Sequence, residues 1–405
     1  MSTKAGGRPR QIERSALLDS AAATRALSIT RATLYVYVSR GLIRSVPHPG
    51  EPKACLYSAA DIMALIDRRR RTRRPRTAAA TALDYGLPVL KSRITHFEDD
   101  RCFYRDREAV ALSRKATLED VARLLWDAEA DPFTAVRFDP RDIEGWGTAA
   151  STCAQASSTA RSSLLLSLLA DCEAPGAGRP GPHAFQAAAR LIVALVAAVT
   201  GIDAAYKGPI HRAIAAAWRR PRAAEHIRRA LVLLADHELN ASTFAVRVVA
   251  STGASLTNCV IAGLTALSGP KHGGATERLR ALLAEVDATG DAAASIAVRI
   301  GRGETIPGFG NSVYRDADPR GAELVAAVKL DATMSATLSA ARSMAGVEPN
   351  VDFGLLALER GFNLPQGAAL SLFAIGRSVG WIAHAFEQRA AGTLIRPRAE
   401  YVSGL

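Results

Sequence analysis

Between residues 222 and 390 apolar side chains return every three or four positions, in the ranges 222–235, 243–267, 275–286, 321–345 and 366–390, with turn-forming clusters between them. This spacing puts each apolar set on one face of a helix, and such faces are stable only against one another. Further upstream, Thr117 opens TLEDVARLLWDAEA, whose Leu118, Val121, Leu124 and Leu125 share a face, and CEAPGAGRPGPH reads as a surface loop. Aromatic residues make up only 6% of the chain and β-branched alternation is rare, so the region beyond residue 77 is expected to be all-α. A chain of 405 residues, 48% apolar, can bury a large core and hold two or three domains. The longest charge-free stretch after Arg190, LIVALVAAVTGI, is well short of the ~20 residues of a spanning helix, so it is read as a core helix and no membrane partner is expected. Cys55, Cys102, Cys153, Cys172 and Cys259 are odd in number and never in a CxxC spacing, which predicts a reducing compartment and no metal site. MSTKAGGRPRQIER is basic but lacks the apolar run of a secretory signal, so a cytoplasmic protein is expected.

Charge divides the chain. Residues 1–76 hold 16 Lys and Arg against 5 Asp and Glu, which leaves 35 against 34 for the other 329 positions. A basic excess confined to one end is the footprint of a polyanion binder. There SALLDSAAATRAL, SIT and RATLYVYVSRGLI read as two short helices around a tight turn, with Leu34 and Val38 facing the first helix and Arg31 and Thr33 pointing outward. RSVPHPGEPKACLY has the makings of a wing, and Ser58 with Asp61 reads as a capping-box start for SAADIMALIDRRRR. Over residues 15–72 this arrangement resembles the DNA-binding domain of MerR-type regulators, a winged helix-turn-helix. The resemblance implies DNA as a partner, contacted by Arg31, Thr33, Tyr35, Arg40 and Arg44, with Arg68 to Arg74 near phosphates. Because that fold also serves protein contacts, a solvated basic interaction face is the alternative. Residues 1–14, including GRPR, are expected to be a basic flexible tail, residues 15–76 the head, and Pro75 the stop of its last helix.

In the large module polar residues interrupt the helical pattern at a few compact places. ADHELNASTF sets His237 between two helices, and SGPKHGGATE holds His272 among glycines that let a ligand approach the backbone. A neutral imidazole there can hydrogen-bond a forming oxyanion. GETIPGFGNSVYRDADPR is a Gly/Pro-rich loop ending in cations, and PNVDFG sets Asp352 beside apolar neighbours that raise a carboxyl pKa toward that of a base. Arg377 lies mid-helix in FAIGRSVGWIAHAFEQ, and Arg396 follows in LIRPRAEY.

Singly these residues have ordinary structural readings; in this order, over residues 85–403, they resemble the citrate synthase family. The resemblance implies an all-helical homodimer with a large domain (residues 77–272 and 362–405) and a small domain (residues 273–361) that closes over the substrates. It implies condensation of acetyl-CoA, or another short acyl-CoA, with oxaloacetate, then thioester hydrolysis to citrate and CoA. In that scheme Asp352 removes the acyl α-proton and His272 stabilises the enol oxygen. His237, Arg315 and Arg377 bind oxaloacetate, joined by Arg396 of the other subunit, and Ile306, Pro307, Gly308, Phe309 and Gly310 lie against CoA. Acyl-CoA enters as substrate and no cofactor is implied.

One departure stands out: the family's histidine after PGFG, which polarises the oxaloacetate carbonyl, is Asn311 here. An amide can donate a hydrogen bond but cannot become a cation or hand over a proton, so turnover is expected to be slow. Two rival readings stay open at this point. One is 2-methylcitrate synthesis from propionyl-CoA; the other is a DNA-binding regulator that uses the module as a metabolite sensor.

Overall fold

The structure is a computed structural model. It describes residues 17–62 except 28, 40, 41, 49, 50, 52, 53 and 60, and residues 89–401 except 135, 170–179, 203–207, 312, 315 and 400. The chain divides into two compact units, residues 1–91 and 92–405. The expected tail at residues 1–14, the arginine run to Arg76 and the boundary at residue 77 lie outside the described residues.

Among its described residues the first unit contains β1 (Leu17–Leu18), α1 (Ser20–Leu27), α2 (Arg31–Ser39), β2 (Ser45–Pro47) and β3 (Cys55–Ser58). Its antiparallel sheet has the order β1-β3-β2, with Val46 opposite Leu56. Ala23, Leu27, Leu34, Ile43, Tyr57 and Ile62 make a small core, and Val38 packs on it beside Leu34. The expected capping box is half present. Ser58 Oγ accepts from Asp61 N at 3.3 Å, but the Asp61 carboxylate turns to Arg44, taking its Nε at 2.8 Å and its Nη2 at 2.9 Å. The exposed Arg44 guanidinium is thereby paired with a carboxylate within the unit. Arg31 Nε donates to Ser20 Oγ, the Thr33 hydroxyl pairs with that of Thr30, and Tyr35 is exposed. Arg40 lies outside the described residues.

The second unit departs from the all-helical expectation at its start, where β4 (Thr95–Glu98), β5 (Arg101–Tyr104) and β6 (Arg107–Glu108) form an antiparallel sheet. The β4–β5 hairpin turns through Asp99 and Asp100, both with positive φ (48° and 58°), which aspartate tolerates better than most residues. Strands of four residues are too short for alternation to outweigh the helical periods around them. The Tyr104 hydroxyl anchors the hairpin 2.9 Å from the Val232 carbonyl.

The remainder is helical: α3 (Ala109–Ser113), α4 (Leu118–Trp126), α5 (Trp146–Thr152), α6 (Ser158–Ser167), α7 (Pro182–Thr200), α8 (Ile210–Ala217) and α9 (Ala224–Leu234). Then follow α10 (Ala241–Ser251), α11 (Leu256–Leu267), α12 (Ala275–Thr289), α13 (Ala292–Gly301), α14 (Pro319–Ala326), α15 (Ala332–Ala345), α16 (Val351–Gly361) and α17 (Ala368–Ala391). Thr117 and Asp120 close a capping box on α4, which buries Leu118, Val121 and Leu125. The apolar range 243–267 is two helices, parted at Gly253 and restarted by a Ser255 cap; the range 321–345 is likewise two, restarted by Asp331. Helices α7 and α17 are long and apolar enough to cross a membrane, yet 56% and 94% of their most apolar 18-residue windows are buried inside the fold.

Two apolar cores result. The larger gathers α4, α6, α7, α9, α11 and α17; the smaller runs from Leu279 to Ala357 and includes Ile296, Phe309, Met334 and Phe353. Helix α17 is the spine of the larger core, and two glycines let it press on the end of α9. A Cβ at Gly376 would lie 2.7 Å from Leu234 Cβ, and one at Gly380 2.4 Å from the Ala235 carbonyl oxygen. Gly380→Ala is therefore expected to destabilise the protein by about 1–3 kcal/mol through overpacking. This is read as a lower urea midpoint; an unchanged midpoint would contradict the close approach.

Candidate active site

The close contact of α17 with the end of α9 builds one wall. Asp236 is fully buried and accepts from Glu238 N at 3.0 Å, forming a tight turn in which Glu238 has φ 56° and His237 projects from between them. His384 Nδ1 accepts from Arg247 at 3.2 Å, so its protonated Nε2 faces Asp236 at 3.4 Å. Burial opposes the Asp236 charge, but His384 and Arg377 outweigh it and hold the carboxyl below its usual pKa.

One turn before Gly380, Arg377 is 1% exposed, donates through Nε to the Leu234 carbonyl at 2.7 Å and stacks 4.8 Å over Phe373. Among the described residues no carboxylate ion-pairs with it, and burial lowers its pKa. An under-compensated buried guanidinium gains most from an incoming anion.

His237 Nε2 lies 3.0 Å from the Tyr314 hydroxyl, and Phe97 of β4 meets both rings edge-on. A cavity lined by Phe97, Glu98, Asp99, Asp100, Val313 and Tyr314 opens beside them. Tyr314 in turn lies 5.6 Å beneath the guanidinium of Arg320, a buried residue at the start of α14. Asp318 caps α14 and grips Arg320 through Nε at 3.0 Å and Nη2 at 2.8 Å. The same carboxylate takes Val351 N at 3.2 Å and stands 3.5 Å from Asn311 Nδ2, while Asn311 Oδ1 accepts from Val313 N. Asp318 thereby joins the glycine-rich loop, α14 and the start of α16.

Asp352 is the second residue of α16, behind an Asn350 cap. Among the described residues nothing hydrogen-bonds its carboxylate, and burial raises its pKa to about 6 against the partial opposition of Arg320. His272 sits in the turn before α12, 6.0 Å edge-on from Phe373, with Nε2 2.9 Å from Ser242 Oγ. Burial, then Arg377, lowers its pKa to about 4, so it is neutral at pH 7. His237 is likewise held well below the usual range by burial, Arg320 and Arg377.

The Asp352 shift has a stability consequence. Its folded pKa lies above the unfolded value, so between about pH 4 and 6 the folded state keeps a proton that the unfolded chain releases, and stability falls as pH rises through that window. Asp352→Asn lacks this penalty. Its urea midpoint relative to wild type is expected to improve from pH 4.5 to pH 7; a constant difference would show that Asp352 titrates normally.

His237, His272, Asp352, Asn311 and Arg377 are thus brought within one electrostatic neighbourhood. Ile306 and Phe309 of the glycine-rich loop are buried, with the Phe309 ring tilted against Phe353 at a centroid distance of 5.0 Å. Gly308 O accepts from Asn350 N and Gly310 N donates to the Glu348 carbonyl, with Pro307 just before the first of these anchors. Arg396 is exposed on the segment after α17 and makes no bond to the cluster within one chain, and Arg315 lies outside the described residues. Sequence reading passed over Arg320, Asp318, Tyr314, Ser242 and Trp381. For the first two a signal existed: an Asp-Pro-Arg triplet opening a helix, with the acid as cap and the arginine folded back on it.

Residues 83–398 match the family model described as citrate synthase, C-terminal domain. Citrate synthase 2 of Bacillus subtilis is 35% identical over 191 residues, which is 45% of this chain and 51% of that protein. The 2-methylcitrate synthase of Shewanella oneidensis is 36% identical over 182 residues, 42% and 48% of the two chains. The chain spans about half the length of the curated relatives it matches. Among solved structures, the citrate synthase of Thermotoga maritima superposes with a TM-score of 0.66 at 25% identity, covering 79% of this chain and 95% of that one. With a family model matched over most of its length, the chain belongs to the citrate synthase family.

Proposed function

We propose that the protein condenses a short acyl-CoA with oxaloacetate, releasing CoA. The observation that carries this reading is a carboxylate poised near pH 6, Asp352, and a neutral imidazole, His272, both under the influence of Arg377, a buried cation with no carboxylate ion pair among the described residues. Asp352 takes the α-proton of the thioester, His272 faces the enol oxygen, and Arg377 with Arg320 binds the dicarboxylate. Arg315 and, from a second subunit of a homodimer, Arg396 complete the anion site, while residues 306–310 lie along CoA. Residues 273–361 act as a small domain whose closure excludes water during enolisation. The relatives include citrate and 2-methylcitrate synthases at similar identity, so acetyl-CoA and propionyl-CoA are both substrates to be tried. Oxaloacetate-dependent CoA thiol release by the purified full chain is the test. Slow release is expected; none from either wild type or Asn311→His would overturn the reading.

The charge division favours a second role for the first unit, in which α2 meets DNA through Arg31, Thr33 and Tyr35. A gel shift against promoter DNA at two salt concentrations tests it. Binding should weaken at the higher salt; binding indifferent to salt would contradict phosphate contact.

A further inference from the structure

The hydroxyl of Ser242, in the first turn of α10, is fully buried and has three polar neighbours. Trp381 Nε1 lies at 3.2 Å, Asn240 Oδ1 at 2.7 Å and His272 Nε2 at 2.9 Å. An indole N–H only donates. Asn240 presents its side-chain oxygen, because that atom caps α10 by accepting from Thr243 N at 3.1 Å, where an amide NH₂ would oppose a backbone N–H. The single hydroxyl hydrogen therefore goes to Asn240, and the two lone pairs of Oγ are left for Trp381 and His272. Nε2 of His272 must then be the donor. The opposite arrangement, with the hydroxyl donating to Nε2, would leave two bare oxygens 2.7 Å apart in a buried site. Trp381 holds Oγ in place: its ring packs so tightly on α11 that a Cβ at Gly263 would lie 2.7 Å from it.

We infer that Asn240 and Ser242, anchored by Trp381, are positioning residues that keep resting His272 as the Nε2–H tautomer, with Nδ1 bare. Among the described residues Nδ1 has no hydrogen-bond partner, so it is the nitrogen left for a ligand. A bare Nδ1 accepts hydrogen bonds and cannot donate one to an enol oxygen. An acceptor oxygen docking there must draw the ring to its other tautomer. One proton leaves Nε2, one reaches Nδ1 through solvent, and the Ser242 hydroxyl turns from Asn240 to Nε2. This consequence for catalysis rests on the condensation proposed above; the resting tautomer does not.

The test is long-range proton–nitrogen correlation on the full chain labelled with ¹⁵N-histidine, the His272 signals being assigned by their loss in His272→Gln. Wild type is expected to show only the Nε2–H pattern. Asn240→Ser keeps a capping hydroxyl but removes the oxygen facing Ser242, and should bring in the Nδ1–H form; Asn240→Asp keeps that oxygen and should preserve Nε2–H. Asn240→Asp also controls for damage to the α10 cap. An Nδ1–H pattern in wild type, or no change in Asn240→Ser, would overturn the inference. If the tautomers shift as expected while no variant releases CoA, the condensation reading fails and the positioning role stands. If both hold, Asn240→Ser should raise kcat severalfold with little change in oxaloacetate KM, a split that simple loss of structure would not produce.

Discussion

Asn311→His is expected to raise kcat for oxaloacetate-dependent CoA release by about 10²-fold or more, with a much smaller change in the KM for oxaloacetate. The amide at 311 is occupied, Oδ1 by Val313 N and Nδ2 by the approach of Asp318, so it contributes at most a neutral hydrogen bond toward a ligand carbonyl. An imidazole in its place gains from Asp318, a carboxylate 3.5 Å from the present Nδ2, which orients the ring and favours its protonated form. Charge developing on the oxaloacetate oxygen then meets a cation or a proton donor, and the effect falls on the transition state rather than on ground-state binding. Steady-state kinetics of the two proteins side by side check it. Equal kcat values would mean that residue 311 does not face the carbonyl, and Tyr314, hydrogen-bonded to His237, would become the donor to remove next.

Asp352→Asn is expected to lower kcat by about 10²- to 10⁴-fold, the usual worth of a positioned base, while leaving oxaloacetate binding near wild type. The side chain is nearly isosteric and, among the described residues, has no hydrogen-bond partner whose loss would disturb α16, whose cap is Asn350. Because the carboxylate and not the acid takes the α-proton, wild-type kcat/KM should rise with pH through an apparent pKa of about 6 and level off above it. That acid limb should be absent from the residual activity of the variant. Oxaloacetate binding by calorimetry and a pH–rate profile separate the two claims; a variant retaining more than about one tenth of kcat would remove Asp352 from the role of base.

Local patterns carried much of this into the sequence. The capping box at Thr117, the apolar faces of α4 and α17, and the Gly-rich surroundings of His272 are set by neighbours within a turn or two, so a reader of the sequence meets them intact. Hairpin β4–β5 was missed for the converse reason. Its strands are short, and its hold on the fold comes from Tyr104 reaching carbonyls more than a hundred residues away.

The chemistry divides in the same way. The residue types and the order of the motifs were determined by the sequence alone, since they are facts of composition and spacing, and the resemblance they carry is what marks Asn311 as standing where the family has a histidine. Only the tertiary structure decided which cations are buried near His237, His272 and Asp352. Arg320 is drawn in because Asp318 bonds at once to the arginine, to Val351 N and to the start of α14, and Arg377 because Gly376 and Gly380 admit α17 against α9. The electrostatics belong to the fold as well. The same Asp and His residues on an open chain would titrate near their ordinary values, and burial is what raises Asp352 to about 6 and lowers His272 to about 4.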